Sequence, residues 1–144
     1  MESHVLDITR VIQLAVAPVF LLTAIATMIN AMNMRLGRIV DRRRVVQERA
    51  DAAEPASAAI ARREIGQLQR RSNLVYYAIL FSVLAALLVC LVVAGAFLGA
   101  LLGADLVRTI AALFIGAMLA MIAALSLFLR EVYLAVRSST HNQP

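Results

Sequence analysis

The sequence contains no lysine: all fourteen basic residues are arginine, against nine acidic residues, for a net charge of +5. It has a single cysteine, Cys90, which excludes an intrachain disulfide. Its two histidines, His4 and His141, stand at opposite ends, so nothing has zinc-ligand spacing, and no metal or cofactor is expected. Its three long apolar runs hold no acidic residue and no histidine. That leaves no buried acid for a proton-coupled carrier and no nucleophile–base pair for an enzyme. Ser82 and Ser126 stand alone, as hydroxyls expected to bond to their own helix. A Gly-rich phosphate loop and an HExxH pair are also missing. No enzymatic activity is expected.

What is present in excess is hydrophobic surface. Of 144 residues, 62% are hydrophobic, and the mean hydropathy is +0.82. Soluble domains are about 45–50% apolar. The excess falls in three blocks, Val11–Met34, Leu74–Leu102 and Ile110–Leu129. Each is long enough for a helix to cross a hydrocarbon core of roughly 30 Å. The second exceeds that need, so it tilts or emerges at one end. The expectation is a single-unit, all-α integral membrane protein with three transmembrane helices.

Arginine excess can signal nucleic acid binding. In a three-span protein the positive-inside bias accounts for it, and no nucleic acid partner is expected. Ten arginines lie between Arg35 and Asn73, and Arg130 and Arg137 follow Leu129; the other side has only Arg10 and Arg108. Twelve against two predicts an N-out, C-in chain, multi-pass in a bacterial inner membrane. Met1–Arg10 lacks the basic start and cleavage motif of a signal peptide, so the first helix is expected to remain in the mature protein.

The segment 35–73 reads as a cytoplasmic helical hairpin. Leu36, Ile39, Val40, Val46, Ala50 and Ala53 follow a three-and-four spacing that continues the first span. Pro55 is expected to break that helix, and Ser57 to cap a second running from Ala58 to Ser72. Ala61, Ile65, Leu68, Ser72 and Val75 form the inner face of this second arm. A hairpin of that length stands about 25–28 Å tall. Asp105 caps the third span after a short turn, and residues 130–144 read as a C-terminal tail.

Two stripes stand out within the spans. Gly95, Gly99 and Gly103 repeat every four residues, answered by Ala112, Gly116, Ala120 and Ala124. Small residues at this spacing let membrane helices approach closely, within a chain or between chains. The first span carries a polar stripe. At 100° per residue, Thr23, Thr27, Asn30, Arg38 and Asp41 fall within about 80°, flanked by Gln13 and Asn33. Polar groups at membrane depth must meet other helices or water. Either they are hydrogen-bonding glue, or they line an aqueous path on an oligomer axis. Pro18 predicts a kink near the outer mouth, and Asp7 and Arg10 lie just outside it, as a charged ring or as a salt bridge.

Three spans cannot hold an inverted repeat, so any pore needs several copies, with four to six expected. The functional expectation is a homo-oligomeric ion channel around helix 1 with a lean toward cations. Its partners are then other copies of the chain, membrane lipids and inorganic ions. The alternative is an accessory membrane protein that scaffolds a partner through its hairpin. A weaker option is anionic-lipid binding through Arg42–Arg44.

Leu6-Asp7-Ile8, Ala17-Pro18-Val19-Phe20-Leu21-Leu22 and Arg35-Leu36-Gly37-Arg38-Ile39-Val40-Asp41-Arg42 resemble the N-terminal signature of a bacterial family of small three-span membrane proteins of unknown function. Arg70-Arg71-Ser72-Asn73-Leu74 fits the same pattern. The resemblance implies the three-span architecture and no activity.

Overall fold

Three long helices make up the chain in the computed structural model: α1, Glu2–Asp51; α2, Pro55–Leu102; and α3, Val107–Thr140. The structure describes residues 2–103 and 105–140, and the side chains of these other than 2–8, 11, 14, 15 and 138–140. Each helix contains a stretch long and apolar enough to cross a membrane, so this is an all-α, multi-pass membrane protein. Helix α1 passes through Pro18 without interruption. Helix α3 continues eleven residues beyond Leu129, so the segment expected as a tail is helical as far as Thr140.

The helix ends have local causes. Helix α1 stops at Asp51, and α2 begins at Pro55, three residues before the expected start. Proline is favoured at a first helical position, where its missing N–H has no partner to lose and its φ is already helical. Pro55 therefore opens α2 rather than only ending α1. Ser57 sits inside this first turn, its hydroxyl donating to the Glu54 carbonyl at 3.0 Å. The Ala58 N–H donates to the same carbonyl at 2.9 Å. Gly103 closes α2 with φ +64°, the left-handed conformation a glycine adopts without steric cost. Its place in the glycine stripe is thus explained by helix termination, and its residue is exposed. The expected Asp105 cap is present: the Val107 N–H donates to its Oδ1 at a long 3.4 Å.

Buried positions recur every seven residues on all three helices. On α1 they are Ile25, Met32, Ile39 and Val46; on α2, Leu68, Val75, Ser82 and Val89; on α3, Ala117, Ala124 and Glu131. A seven-residue repeat is the seam of a coiled coil, which keeps one face toward its neighbours over many turns.

The contacts divide the chain into two units. The first combines Met1–Ile29 with Ser82–Ile122. Its apolar interior is Ile25, Ala85, Val89, Ala117 and Ala120, with Ser82 buried beside them. Lipid gives apolar side chains no drive to associate, so close backbone approach over alanine carries this packing. Gly95 and Gly116 contribute differently. A Cβ on Gly95 would lie 3.4 Å from Ile110 Cγ1, and one on Gly116 3.6 Å from Leu88 Cδ1. Each glycine therefore accommodates a branched side chain rather than another small residue. Gly99 is half-buried, while Ala112 is exposed.

The second unit combines Asn30–Phe81 with Ala123–Pro144. Met32, Ile39, Val46, Ala58, Leu68, Val75, Ala78 and Ala124 form its apolar interior. In the inner faces expected for the hairpin, Ile39, Val46, Leu68 and Val75 are buried, and Leu36, Ala50, Ala61, Ile65 and Ser72 are half-buried. Val40 is 40% exposed, because it lies one position out of phase with the seam. Ala53 falls in the turn. Ile39, Val46 and Leu68 stand among charged residues, where burying each one adds roughly 1.5–3 kcal/mol.

Candidate functional site

The seam of α1 fixes where its polar stripe points. In the first unit, Ile25 is buried while Gln13, Thr23 and Thr27 are exposed. In the second, Met32, Ile39 and Val46 are buried while Asn30, Asn33, Arg38 and Asp41 are exposed. With Thr23 at zero, the seam falls at about 140–200° on a helical wheel, opposite the stripe. Among the described residues, no stripe side chain bonds to α2 or α3. The Thr23 hydroxyl donates to the Val19 carbonyl at 3.0 Å, and the Thr27 hydroxyl to the Thr23 carbonyl at 2.9 Å, both within α1. Arg10 is exposed and Pro18 half-buried. The side chain of Asp7 lies outside the described residues.

The second unit also contains a charged centre. Glu131 occupies the α3 seam position seven residues after Ala124 and is 1% exposed. Both carboxylate oxygens are held. Arg35 Nη1 donates to Oε2 at 2.8 Å, and Arg71 Nη2 donates to Oε1 at 2.9 Å. One arginine comes from α1 and the other from α2, so a single carboxylate joins all three helices. The Arg35 guanidinium also lies 5.3 Å from the ring centroid of Phe128, one turn before Glu131 on α3. A buried carboxylate loses its hydration; two charge-assisted hydrogen bonds restore much of that loss, and two partly exposed guanidinium groups share the burial.

Around this centre, Arg35, Arg38, Ile39, Arg42, Leu68, Arg71, Glu131 and Ala135 line a cleft of about 290 Å³. Arg42 is drawn to Glu64, with Nη2 at 2.8 Å and Nε at 3.0 Å from the same Oε1. Arg38 makes no hydrogen bond or ion pair among the described residues. Four arginines face one lining carboxylate, and Glu64 adds a second, so two positive charges go unmatched.

Glu131 was hidden in the sequence because it follows the third apolar block by two residues and its partners lie 96 and 60 residues away. The available signal was the seven-residue phase of Ala117, Ala124 and Glu131. Among the described residues, no three His, Cys, Asp or Glu side chains gather as metal ligands would.

Three apolar helices, a continuous seam and a charged centre where apolar segments end define a small multi-pass membrane protein. The chain belongs to the family described as protein of unknown function (DUF2721), whose model matches residues 15–141. The Ala17–Leu22 and Arg35–Arg42 motifs lie inside that match; Leu6–Ile8 precedes it. No curated protein and no solved structure matches the chain.

Proposed function

We propose that the protein is a homo-oligomeric ion channel in which α1 lines an axial pore. The observation that carries this reading is the opposition on α1 between a buried apolar seam and an exposed polar stripe. Thr23 and Thr27 bond to their own helix, but an asparagine at membrane depth, such as Asn30, loses several kcal/mol if it faces lipid unsatisfied. Since α2 and α3 of the same chain are packed on the other side, the stripe's partners are other copies of the chain and the water between them. Thr23, Thr27 and Asn30 form the constriction, Asn33 flanks its inner end, and Arg38 and Asp41 continue the path.

The lean toward cations has a local basis. The hydroxyl hydrogens of Thr23 and Thr27 are engaged with backbone carbonyls. The lone pairs of these oxygens are then free to replace part of a cation's hydration shell. The reading includes four to six subunits, an N-out, C-in orientation in a bacterial inner membrane, and a cytoplasmic α1–α2 hairpin.

The test is ion flux from liposomes containing purified protein, wild type beside Asn30→Leu. Flux by the wild type that falls sharply in the variant supports the pore. Flux that is absent, or unchanged by the substitution, overturns it. A protein that is a monomer or a simple dimer in mild detergent also overturns it.

A further inference from the structure

We infer that the arginine cleft of the second unit binds the phosphate of an anionic phospholipid headgroup. The inference leaves the channel constriction at Thr23, Thr27 and Asn30 untouched, but it assigns Arg38 to the cleft rather than to the axial path.

The cleft has the chemistry of a phosphate site. Arginine presents planar, forked donors that match phosphate oxygens. Here Arg35, Arg38, Arg42 and Arg71 converge with two positive charges unmatched. Glu131 does not neutralise the site; it orients it. By accepting one hydrogen bond from Arg35 and one from Arg71, it fixes both guanidinium groups while leaving other N–H donors on each. Arg38 is free to turn toward a ligand. The Nε–H of Arg71 is buried and finds no acceptor among the described residues. A buried donor left unmade is destabilising, so the Arg71 side chain gains from a shift that brings its Nε–H to a phosphate oxygen in the cleft.

The level of the cleft selects a lipid over a soluble anion. Arg35 immediately follows the last residue of the first apolar block, and Glu131 follows the end of the third by two residues. Arg71 precedes the start of the second by three. Apolar residues beside them are exposed: Met34 at 59%, Leu129 at 69% and Tyr133 at 65%. A basic cleft with an apolar skirt at the edge of the hydrocarbon region is where a headgroup phosphate sits while its acyl chains stay in the bilayer. Its volume, near the low end of small-molecule pockets at roughly 300 Å³, admits a phosphate and its glycerol.

The location differs from a plain polybasic patch. Arg43 and Arg44 do not line the cleft, and Arg42 is engaged by Glu64. Arg38 is the decisive residue, because it lines the cleft, is exposed and holds no partner whose loss would disturb the fold.

The test measures lipid binding by native mass spectrometry on detergent-purified full-length protein titrated with phosphatidylglycerol. Phosphatidylcholine and inorganic phosphate are run in parallel. Wild type is expected to retain phosphatidylglycerol at least tenfold more tightly than phosphatidylcholine. Arg38→Ala is expected to lose about tenfold in that affinity, the scale of one charge-assisted contact, while Arg43→Ala stays at the wild-type value. Equal losses in Arg38→Ala and Arg43→Ala would overturn the cleft in favour of diffuse attraction. Equal retention of the two lipids would overturn anionic recognition. Inorganic phosphate that displaces phosphatidylglycerol at equal concentration would overturn the lipid as the source of the phosphate.

Discussion

Arg35 of α1 and Glu131 of α3 are joined at 2.8 Å although 96 positions separate them in the chain. The same carboxylate takes Arg71 of α2 at 2.9 Å. Where apolar packing gives way to charged segments, one acidic side chain thus ties the three helices together.

Removing that side chain leaves two arginines facing each other with no counter-charge. Glu131→Ala is expected to destabilise the folded protein by about 3 kcal/mol, the low end for breaking a buried ion pair, because both arginines retain access to water. Unfolding in mixed micelles measures the loss. Replacing Arg35, Arg71 and Glu131 together by apolar residues of similar size is expected to recover most of it.

The ion pair between Arg42 and Glu64 provides the contrast. Their side chains are 52% and 40% exposed. Water and salt screen such a pair, so Glu64→Gln is expected to change stability by less than about 1 kcal/mol in the same unfolding assay. A loss as large as that of Glu131→Ala would mean that the pair is dehydrated.

Three glycines separate conformational from packing requirements. Gly66 is in the interior of α2 with open space around its Cα. Gly66→Ala is expected to stabilise by about 0.5–1 kcal/mol through helix propensity. Gly103 has φ +64°, where an L side chain is strained, so Gly103→Ala is expected to destabilise by about 1–2 kcal/mol. Gly95→Leu is expected to separate α2 from Ile110, since a Cβ alone already reaches 3.4 Å. Thermal denaturation of the three variants reads all these signs.

Much of this architecture was legible in the residues. Long charge-free runs specify helices that cross a membrane, and the phase of Ile39, Val46 and Leu68 specifies two helical arms beyond them. What could not be read was which way each span faces. The second and third spans are nearly apolar all round and offer little amphipathic contrast. On the first, the polar stripe marks one face, and Ile25 and Met32 lie opposite it, but residue type alone does not tell whether the stripe or its opposite packs against the other helices. Glu131 was obscured for a related reason. A charge just beyond an apolar block reads as solvated, and only tertiary contact brings Arg35 and Arg71 to it. The four-residue glycine repeat, by contrast, looked more uniform than its roles: Gly95 packs, whereas Gly103 ends a helix.

The seam itself can be tested outside the apolar blocks. Ile39 is 5% exposed and lies between charged turns of α1. Ile39→Ala is expected to destabilise by about 2–3 kcal/mol, whereas Val40→Ala, one position away and 40% exposed, is expected to change stability by less than about 1 kcal/mol. Denaturant unfolding in micelles distinguishes the two.

The central claim is that α1 turns one face to packing and the opposite face to water. Single cysteines introduced at positions 23, 25, 27, 30 and 32, in a background with Cys90→Ala, test it through block of liposome ion flux by a membrane-impermeant thiol reagent. The account predicts block at Thr23→Cys, Thr27→Cys and Asn30→Cys and none at Ile25→Cys or Met32→Cys. Unreactive cysteines at all three stripe positions, or equal reaction at stripe and seam, would contradict it.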